Sequence, residues 1–349
     1  MSPTGAALEV GRVDVARDDE VAAWLEVINA VDRHERGEHA TPWYLPEVLA
    51  DLRTPQKNRR TEIFVGTVDG AVVAAGEIRL PLQDNLTSAD LMVWVLPDHR
   101  RRGHGSAVLA RLEEVARADG RTRYGAMTDW PYAGPPDGAG APGVEFGRAH
   151  GYAFGLGDIQ REVVLPVDGA LLDRLAAEAA EHTGGYTLRT VVGRLPDDLV
   201  AGYVALSNRL MTEAPMGEVE REEEAADVEA FRQHEDVLVA QGRTVVRTLA
   251  VAASGEVAAY TDLVVPSADP TWVFQWGTLV DPAHRGHRLG IAVKVANLVE
   301  LQRRGLADGR RLVTWNAEVN GPMIGINEQL GFVPTGRSGE LQKKAPAPA

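Results

Sequence analysis

The feature that most constrains the fold of this chain is an internal repeat. Residues 99–105 read HRRRGHG, and residues 284–290 read HRGHRLG. Each of these basic, glycine-containing loops follows a run of strand-forming residues and precedes a run whose apolar residues recur at helical spacing. Repetition on this scale indicates a duplicated structural unit, so we expect the two halves of the chain to fold alike.

The two halves also share their order of predicted elements. A hairpin that turns at Asp69-Gly70 in the first half, and at Ser254-Gly255 in the second, precedes a third strand and then the glycine loop. A helix, a strand, a short helix and a last strand follow. With the helices that begin each half, this order predicts an α/β fold: a mixed, mainly antiparallel sheet with flanking helices.

The length of 349 residues predicts two domains, because domains average roughly 150 residues. We expect an N-terminal domain over residues 1–165, a connecting helix or linker over 166–184, and a C-terminal domain over 185–349. The Pro- and Gly-rich segment 130–143 predicts a loop in the first half where the second half is compact.

Composition excludes several classes of function. The net charge of −14 disfavours nucleic acid as a partner, and the absence of cysteine excludes disulfides, thiolate metal sites and thiol nucleophiles. The histidines near the loops have no carboxylate at a metal-ligand spacing, so no metal is predicted. No apolar run approaches the roughly 20 residues of a membrane span. We therefore expect a cytoplasmic, soluble protein, monomeric or homodimeric, whose partner is a small molecule.

The glycine loops are candidate phosphate sites. A strand that ends at a glycine loop and opens a helix directs backbone N–H groups and the positive end of the helix dipole at one point. The loops match neither the Walker A pattern nor the dinucleotide fingerprint. Either loop alone is equally compatible with a basic turn containing a glycine hinge, but their recurrence at one position in two copies favours phosphate binding.

The order of elements and the pattern [Q/R]-x-x-G-x-G resemble the GCN5-related N-acetyltransferase (GNAT) superfamily, in the tandem arrangement of its two-domain actinobacterial members. Arg100, Gly103 and Gly105 meet the pattern in the first copy. The second copy has Arg285 and Gly290, but Arg288 replaces the first small residue. The likeness covers residues 8–165 and 185–343.

The resemblance implies acetyl-CoA as cosubstrate, held by its pyrophosphate at the loop and by its pantetheine along two diverging strands, and attacked directly by an amine. The cofactor-binding residues it implies are Val95, Leu96, Arg100, Arg101, Arg102, Gly103, His104 and Gly105 in the first copy, and Leu279, Val280, Arg285, Gly286, His287, Arg288, Leu289, Gly290, Asn316, Asn320 and Asn327 in the second. The three asparagines could equally cap or brace turns.

The catalytic candidates are carboxylates. The family's frequent base is a Glu on the fourth strand, and counting 13 positions back from the first glycine position reaches Asp90 in one copy and Gln275 in the other. Gln275 cannot accept a proton, so we predict that it contacts the acceptor. Glu77 and Asp262 occupy matching positions on the preceding strand, where a carboxylate is costly unless it is paired, hydrogen-bonded or solvated.

The family's frequent acid, a Tyr on the last helix, is missing: Gly147 and Asn327 stand at its positions. Water, Tyr132 or Tyr260 remain alternatives. For the acceptor pocket of the second copy we predict Met211, Met216 and Glu218.

Together these features predict an N-acetyltransferase that acts on a small amine, with the C-terminal copy active because its later cofactor region is more regular. The alternative is a non-catalytic acyl-CoA-binding protein. Whether Arg288 crowds a pyrophosphate or contacts it is open at this point.

Overall fold

The computed structural model describes residues 8–345, and for Met211 and Thr212 the backbone alone. The chain divides into two compact units. Unit 1 contains the residues up to 157, residues 217–220, and the residues from 336 onward; unit 2 contains Asp158–Met216 and Arg221–Thr335.

The helices and strands of unit 1 follow the predicted order. They are β1 (Glu9–Arg12), α1 (Asp18–Arg36), α2 (Leu45–Arg53), β2 (Arg59–Val68), β3 (Ala71–Pro81), β4 (Ser88–Val95), α3 (His104–Ala118), β5 (Arg123–Pro131) and α4 (Pro142–Ala149), followed by the beginning of β6 (Ala153–Val164).

Unit 2 repeats this order after a connecting helix. Its elements are α5 (Gly169–Ala180), β7 (Tyr186–Val192), α6 (Asp197–Ser207), α7 (Leu210–Glu213), α8 (Val228–Ala240), β8 (Arg243–Ala252), β9 (Val257–Pro266), β10 (Trp272–Val280), α9 (Leu289–Arg303), β11 (Arg311–Ala317) and α10 (Gly321–Gln329), followed by the beginning of β12 (Val333–Lys344).

The sheets of the two units exchange their last strands. In unit 1 the order is β1-β2-β3-β4-β5-β12, and in unit 2 it is β6-β11-β10-β9-β8-β7. Within each order all pairs are antiparallel except β4 with β5 and β10 with β11. The predicted α/β fold with a mainly antiparallel sheet and flanking helices is confirmed.

Unit 1 has an apolar core on each face of its sheet. On one face α3 packs so closely that a Cβ at Gly76 would lie 2.7 Å from Val108, so glycine is required at that position. On the other face Trp24 of α1 donates from its indole nitrogen to the carbonyl of Gly76 at 2.9 Å and packs edge-on against Trp94. Helices on both faces of the sheet therefore contact the middle of β3.

Unit 2 is also covered on both faces. Helices α5 and α9 bury one face through residues such as Leu263 and Val265, and α6 covers the other through Leu249 and Tyr260. No helix within residues 8–345 is both long and apolar enough to cross a membrane.

Candidate active site

Each unit contains a pair of parallel strands that diverge. Strands β4 and β5 are paired only from Ser88 to Asp90, and β10 and β11 only from Trp272 to Phe274. All four strands continue beyond the last pair, to Val95, Pro131, Val280 and Ala317. The backbone groups in the diverging parts can therefore hydrogen-bond an extended ligand that lies between the strands.

A β-bulge distorts the fourth strand of unit 2. The register between β10 and β9 shifts between Gln275 and Thr278, whereas β4 pairs with β3 without interruption. The extra residue places Asp90 level with Phe274 rather than with Gln275, as counting from the loop suggested. Such bulges redirect backbone groups and recur next to active sites.

Gln275 holds this bulge. Its side chain is buried, and its amide nitrogen donates to the carbonyl of Asp262 at 2.8 Å and to the hydroxyl of Thr261 at 3.0 Å. The side chain we expected to contact an acceptor is thus bonded to the strands of its own unit. Its structural role is to fix the conformation of β10 where that strand leaves β11.

Tyr260 lies beneath the bulge. A Cβ at Gly277 would lie 2.5 Å from the Tyr260 hydroxyl and 2.9 Å from Leu210, so glycine is required there. Burial and the negative charge of Asp262 raise the pKa of Tyr260, which keeps it protonated.

The two glycine loops share a backbone conformation although their sequences differ. Each has two residues with positive φ: Arg101 (59°) and Gly103 (86°) in unit 1, Gly286 (88°) and Arg288 (50°) in unit 2. Glycine and arginine have therefore exchanged places between the two loops. The left-handed turn before the helix is preserved in both, at the cost of one strained arginine in each.

The side chain of Arg288 points to the connecting helix. Its guanidinium lies 3.3 Å from a carboxylate oxygen of Glu178 in α5. The first arginine of each loop is also held within its own unit: Arg100 pairs with Glu35 at 2.6 Å, and Arg285 with Glu213 at 3.0 Å. In both loops the arginine of the [Q/R]-x-x-G-x-G pattern thus ties the loop to an early helix.

The last glycine of each loop brings the following helix close to the end of the fourth strand. A Cβ at Gly105 would lie 3.2 Å from Phe146 in α4, and one at Gly290 would lie 2.9 Å from Ile326 in α10 and 3.6 Å from Val280. The first N–H groups of α3 and α9 have no partner within their helices. Such a turn fits a pyrophosphate group, which those N–H groups can bind.

The remaining loop residues differ in exposure. Arg101, Arg102 and His287 are exposed on the loops, whereas His104 and Leu289 are buried at the helix starts. Burial lowers the pKa of His104, and the neighbouring His99 and Arg102 add to this effect.

The remaining predicted cofactor-binding residues of the strands lie at the ends of β4 and β10. Val95, Leu96 and Val280 are half-buried, and Leu279 packs in the core beside α6.

Asp262 belongs to a buried network in unit 2. One of its carboxylate oxygens accepts the Tyr203 hydroxyl at 2.5 Å, and the other lies 3.4 Å from Arg247, which also pairs with Glu235 at 3.2 Å. Burial raises the pKa of Asp262, and Arg247 opposes this effect. The carboxylate faces α6, on the side of the sheet opposite α9.

The two carboxylates predicted in unit 1 have different surroundings. Glu77 is buried and forms an ion pair with Arg79, which is its neighbour on the same face of β3. Asp90 is exposed, and its carboxylate lies beside Gly125 at the point where β4 and β5 diverge. Unit 1 therefore contains two of the three predicted catalytic residues and unit 2 contains the third.

The predicted asparagines of unit 2 form two groups. Asn320 caps α10, because its side-chain oxygen accepts from the backbone N–H of Met323 at 3.3 Å. Asn327 is fully buried; it donates to Asn316 at 2.5 Å and accepts from Lys294 at 2.5 Å. Sequence reasoning missed Lys294, although a lysine within the apolar run GIAVKVANLV was a visible signal.

A polar layer separates α9 from the sheet in unit 2. Its buried members are Thr248, Thr261, Gln275, Thr278 and Asn297. Asn297 accepts from the Thr248 hydroxyl at 3.1 Å, and the hydroxyls of Thr261 and Thr278 are 2.7 Å apart.

The corresponding layer of unit 1 is apolar. Phe64 and Gly76 form the strand pair that matches Thr248 and Thr261, and Leu112 of α3 matches Asn297. The two units thus share a fold but differ in the chemistry of this layer.

Comparison with known proteins identifies the family of this chain. The sequence profile of the acetyltransferase (GNAT) family matches residues 19–129. Mycothiol acetyltransferase of Saccharomonospora viridis is 30% identical over 254 residues, which are 70% of this chain and 70% of that protein. The chain belongs to the GNAT acetyltransferase family.

Solved structures agree with this assignment. A tandem GNAT protein from the clavulanic acid biosynthesis pathway matches 98% of this chain and all of its own, with a TM-score of 0.77 and 28% identity. A GCN5-related N-acetyltransferase from Sphaerobacter thermophilus has the same fold, with a TM-score of 0.67, 14% identity, and coverage of 98% and 97%. The protein is therefore a tandem GNAT protein, as its sequence predicted.

The acceptor residues predicted for the second copy of this GNAT protein are not all in unit 2. Met216 is half-buried in unit 2, and the side chain of Met211 lies outside the described residues. Glu218 belongs to unit 1, where its backbone N–H donates to the carbonyl of Gly155 at 2.9 Å.

The GNAT chain has no evident metal centre in its described part. Within residues 8–345, no three histidine, aspartate or glutamate side chains are grouped so that they could hold a metal ion.

Proposed function

We propose that this protein transfers an acetyl group from acetyl-CoA to the amine of a small-molecule acceptor by direct attack, and that unit 2 is the active unit. The observation that carries this proposal is the bulge in β10, which Gln275 holds where β10 leaves β11. The bulge gives unit 2 a redirected fourth-strand backbone, which the uninterrupted β4 lacks. An oxyanion donor must have such a fixed direction.

The polar layer beneath α9 supports the choice of unit 2. Buried polar groups are costly unless each is hydrogen-bonded, and unit 1 shows that the same fold tolerates an apolar layer. Departures from the simplest packing concentrate at functional sites. We therefore interpret the polar layer as the framework that holds the bulge in place.

In this proposal the chain's own groups have separate tasks. The N–H groups at the start of α9 bind the pyrophosphate, and the backbone of β10 beyond the bulge binds the pantetheine and the developing oxyanion. Acetyl-CoA supplies the activated thioester. The attacking amine forms a C–N bond as the C–S bond breaks, and Asp262 accepts the proton that the amine loses. Its raised pKa makes Asp262 a stronger base than an exposed carboxylate.

We assign unit 1 a structural role, or acyl-CoA binding without turnover. The ion pair of Glu77 with Arg79 and the regular pairing of β4 support this assignment. A second candidate function, a non-catalytic acyl-CoA-binding protein, is favoured by Asn327 and Gly147, which stand where the family often has its tyrosine acid.

Isothermal titration with acetyl-CoA, followed by a thiol-release assay over a panel of small amines, tests these functions. Gly290→Ala and its matched control Gly105→Ala each press a Cβ against the neighbouring helix of one unit. We expect Gly290→Ala to lower both affinity and thiol release, and Gly105→Ala to leave thiol release unchanged. The reverse pattern would assign catalysis to unit 1. Binding without thiol release for any amine would favour the non-catalytic function.

A further inference from the structure

Lys294 is a buried amine that the proposed function leaves without a role. Its side chain is 2% exposed, and its Nζ donates to the Asn327 side-chain oxygen at 2.5 Å. Nζ also lies 5.5 Å from the centre of the Phe332 ring. Among the described residues these are its polar and ring contacts, so an ammonium group with three N–H donors has one hydrogen-bond acceptor.

Lys294 lies near the gap between the diverging strands of unit 2. It follows Gly290 by one helical turn, and Gly290 is in contact range of both Val280 at the end of β10 and Ile326 in α10. Its partner Asn327 donates in turn to Asn316, which belongs to the part of β11 that has left β10. The two hydrogen bonds from Lys294 to Asn327 and from Asn327 to Asn316 therefore connect α9, α10 and the diverging part of β11.

Unit 1 shows that the fold does not need this lysine. The residue that follows Gly105 by one turn is Leu109, which packs in the apolar core, and Gly147 stands where unit 2 has Asn327. A buried amine is costly, and its presence in an otherwise apolar stretch of α9 suggests a task other than packing.

We propose that Lys294 donates the proton that the CoA sulfur takes up as it leaves the acetyl group. This inference rests on the proposed function of unit 2. The C–S electron pair moves to sulfur, sulfur takes a proton from Nζ, and the neutral amine is then reprotonated from water. The acceptor amine loses one proton in the same turnover, so protons balance. Asn327 stands where the family often has its tyrosine acid, and an amide is unsuited to donate this proton. In this proposal Lys294 donates it instead.

The acidity of Lys294 suits this step. Burial lowers its pKa to about 7, below the roughly 8.5 of a cysteine thiol, so proton transfer to a thiolate is downhill. Charged groups on two neighbouring elements are paired elsewhere. Glu328 of α10 lies 3.8 Å from Arg161, and Glu178 of α5 pairs with Arg288. Asp262 and its partners face α6, across the sheet.

Binding of CoA and of desulfo-CoA, which lacks the sulfur, tests this role without an acceptor. Titration calorimetry at neutral pH should show that the full-length protein prefers CoA by about tenfold or more, because a charge-assisted hydrogen bond to sulfur is worth that much. Lys294→Met should remove the preference. The matched control is Leu109→Met in unit 1, which should leave it intact.

Each outcome decides a different point. Equal loss of affinity for both ligands in Lys294→Met, with the preference retained, would overturn proton donation and leave Lys294 as a packing residue. Failure of the wild-type protein to bind either ligand would instead overturn the proposed function.

A spectroscopic measurement on the wild-type protein keeps the proposal testable if Lys294→Met fails to fold. The chain has only four lysines, Lys57, Lys294, Lys343 and Lys344, so ¹³C-lysine spectra are simple. CoA should raise the pKa of the buried lysine, because the ammonium form can donate a hydrogen bond to the CoA sulfur. Desulfo-CoA should not. An equal response to both ligands would contradict contact between Lys294 and sulfur.

Discussion

Replacing Lys294 by methionine should abolish a distinctive pH dependence of stability. The pKa of Lys294 is about 7 in the folded protein, against an ordinary value of 10.5. Between these values the unfolded chain binds a proton that the folded protein does not, so the unfolding free energy rises with pH. The slope approaches about 1.4 kcal/mol per pH unit, and from about pH 7.5 to 9.5 the gain is about 2–3 kcal/mol.

Urea denaturation of the wild-type and Lys294→Met proteins at those two pH values measures this gain. The wild-type protein should gain about 2–3 kcal/mol more than the variant on going to the higher pH, because all other titrating groups are common to both. The difference between the two gains therefore contains only the contribution of Lys294. An identical pH dependence in the two proteins would show that Lys294 keeps an ordinary pKa, and would remove the basis for treating it as an acid at neutral pH.

Three further substitutions test other parts of the site. Asp262→Asn should lower thiol release at least about tenfold with little change in acetyl-CoA affinity, whereas Glu77→Gln in unit 1 should leave release unchanged; full activity of Asp262→Asn would remove it as the base. Arg288→Gly relieves a left-handed arginine at the loss of one surface ion pair, so stability should change by less than about 1 kcal/mol and acetyl-CoA affinity by less than about twofold in calorimetry. A tenfold loss would show that Arg288 contacts the phosphates. Gly277→Ala should destabilise the protein by about 1–3 kcal/mol in urea denaturation, and Tyr260→Phe in the same chain should recover part of this loss; an unchanged stability would contradict the close packing under the bulge.

The parts of the fold that depend on local chemistry could be predicted from the sequence. The hairpin turns at Asp69-Gly70 and Ser254-Gly255, the glycine loops and the helices that follow them depend on residues adjacent in the chain. The pairing of β12 with β5 and of β6 with β11 could not be predicted, because each pairing joins residues far apart in the chain.

The site was less predictable because its side chains are placed by distant elements. Arg288 points outward because Glu178, on the connecting helix, attracts it. Asp90 and Gln275 appear equivalent when residues are counted back from the loops, but one bulge residue removes that equivalence. Lys294 could be noticed in the sequence as a lysine among apolar residues, yet its partner Asn327 was identifiable only from the packing of α10 on α9.

A crystal structure of the full-length protein grown with acetyl-CoA tests the central claim most directly. We predict that the pyrophosphate binds at the N–H groups that begin α9 and that the pantetheine lies between β10 and β11, with its thioester beside the bulge at Gly277. Acetyl-CoA bound only between β4 and β5, at the loop of unit 1, would contradict the assignment of catalysis to unit 2.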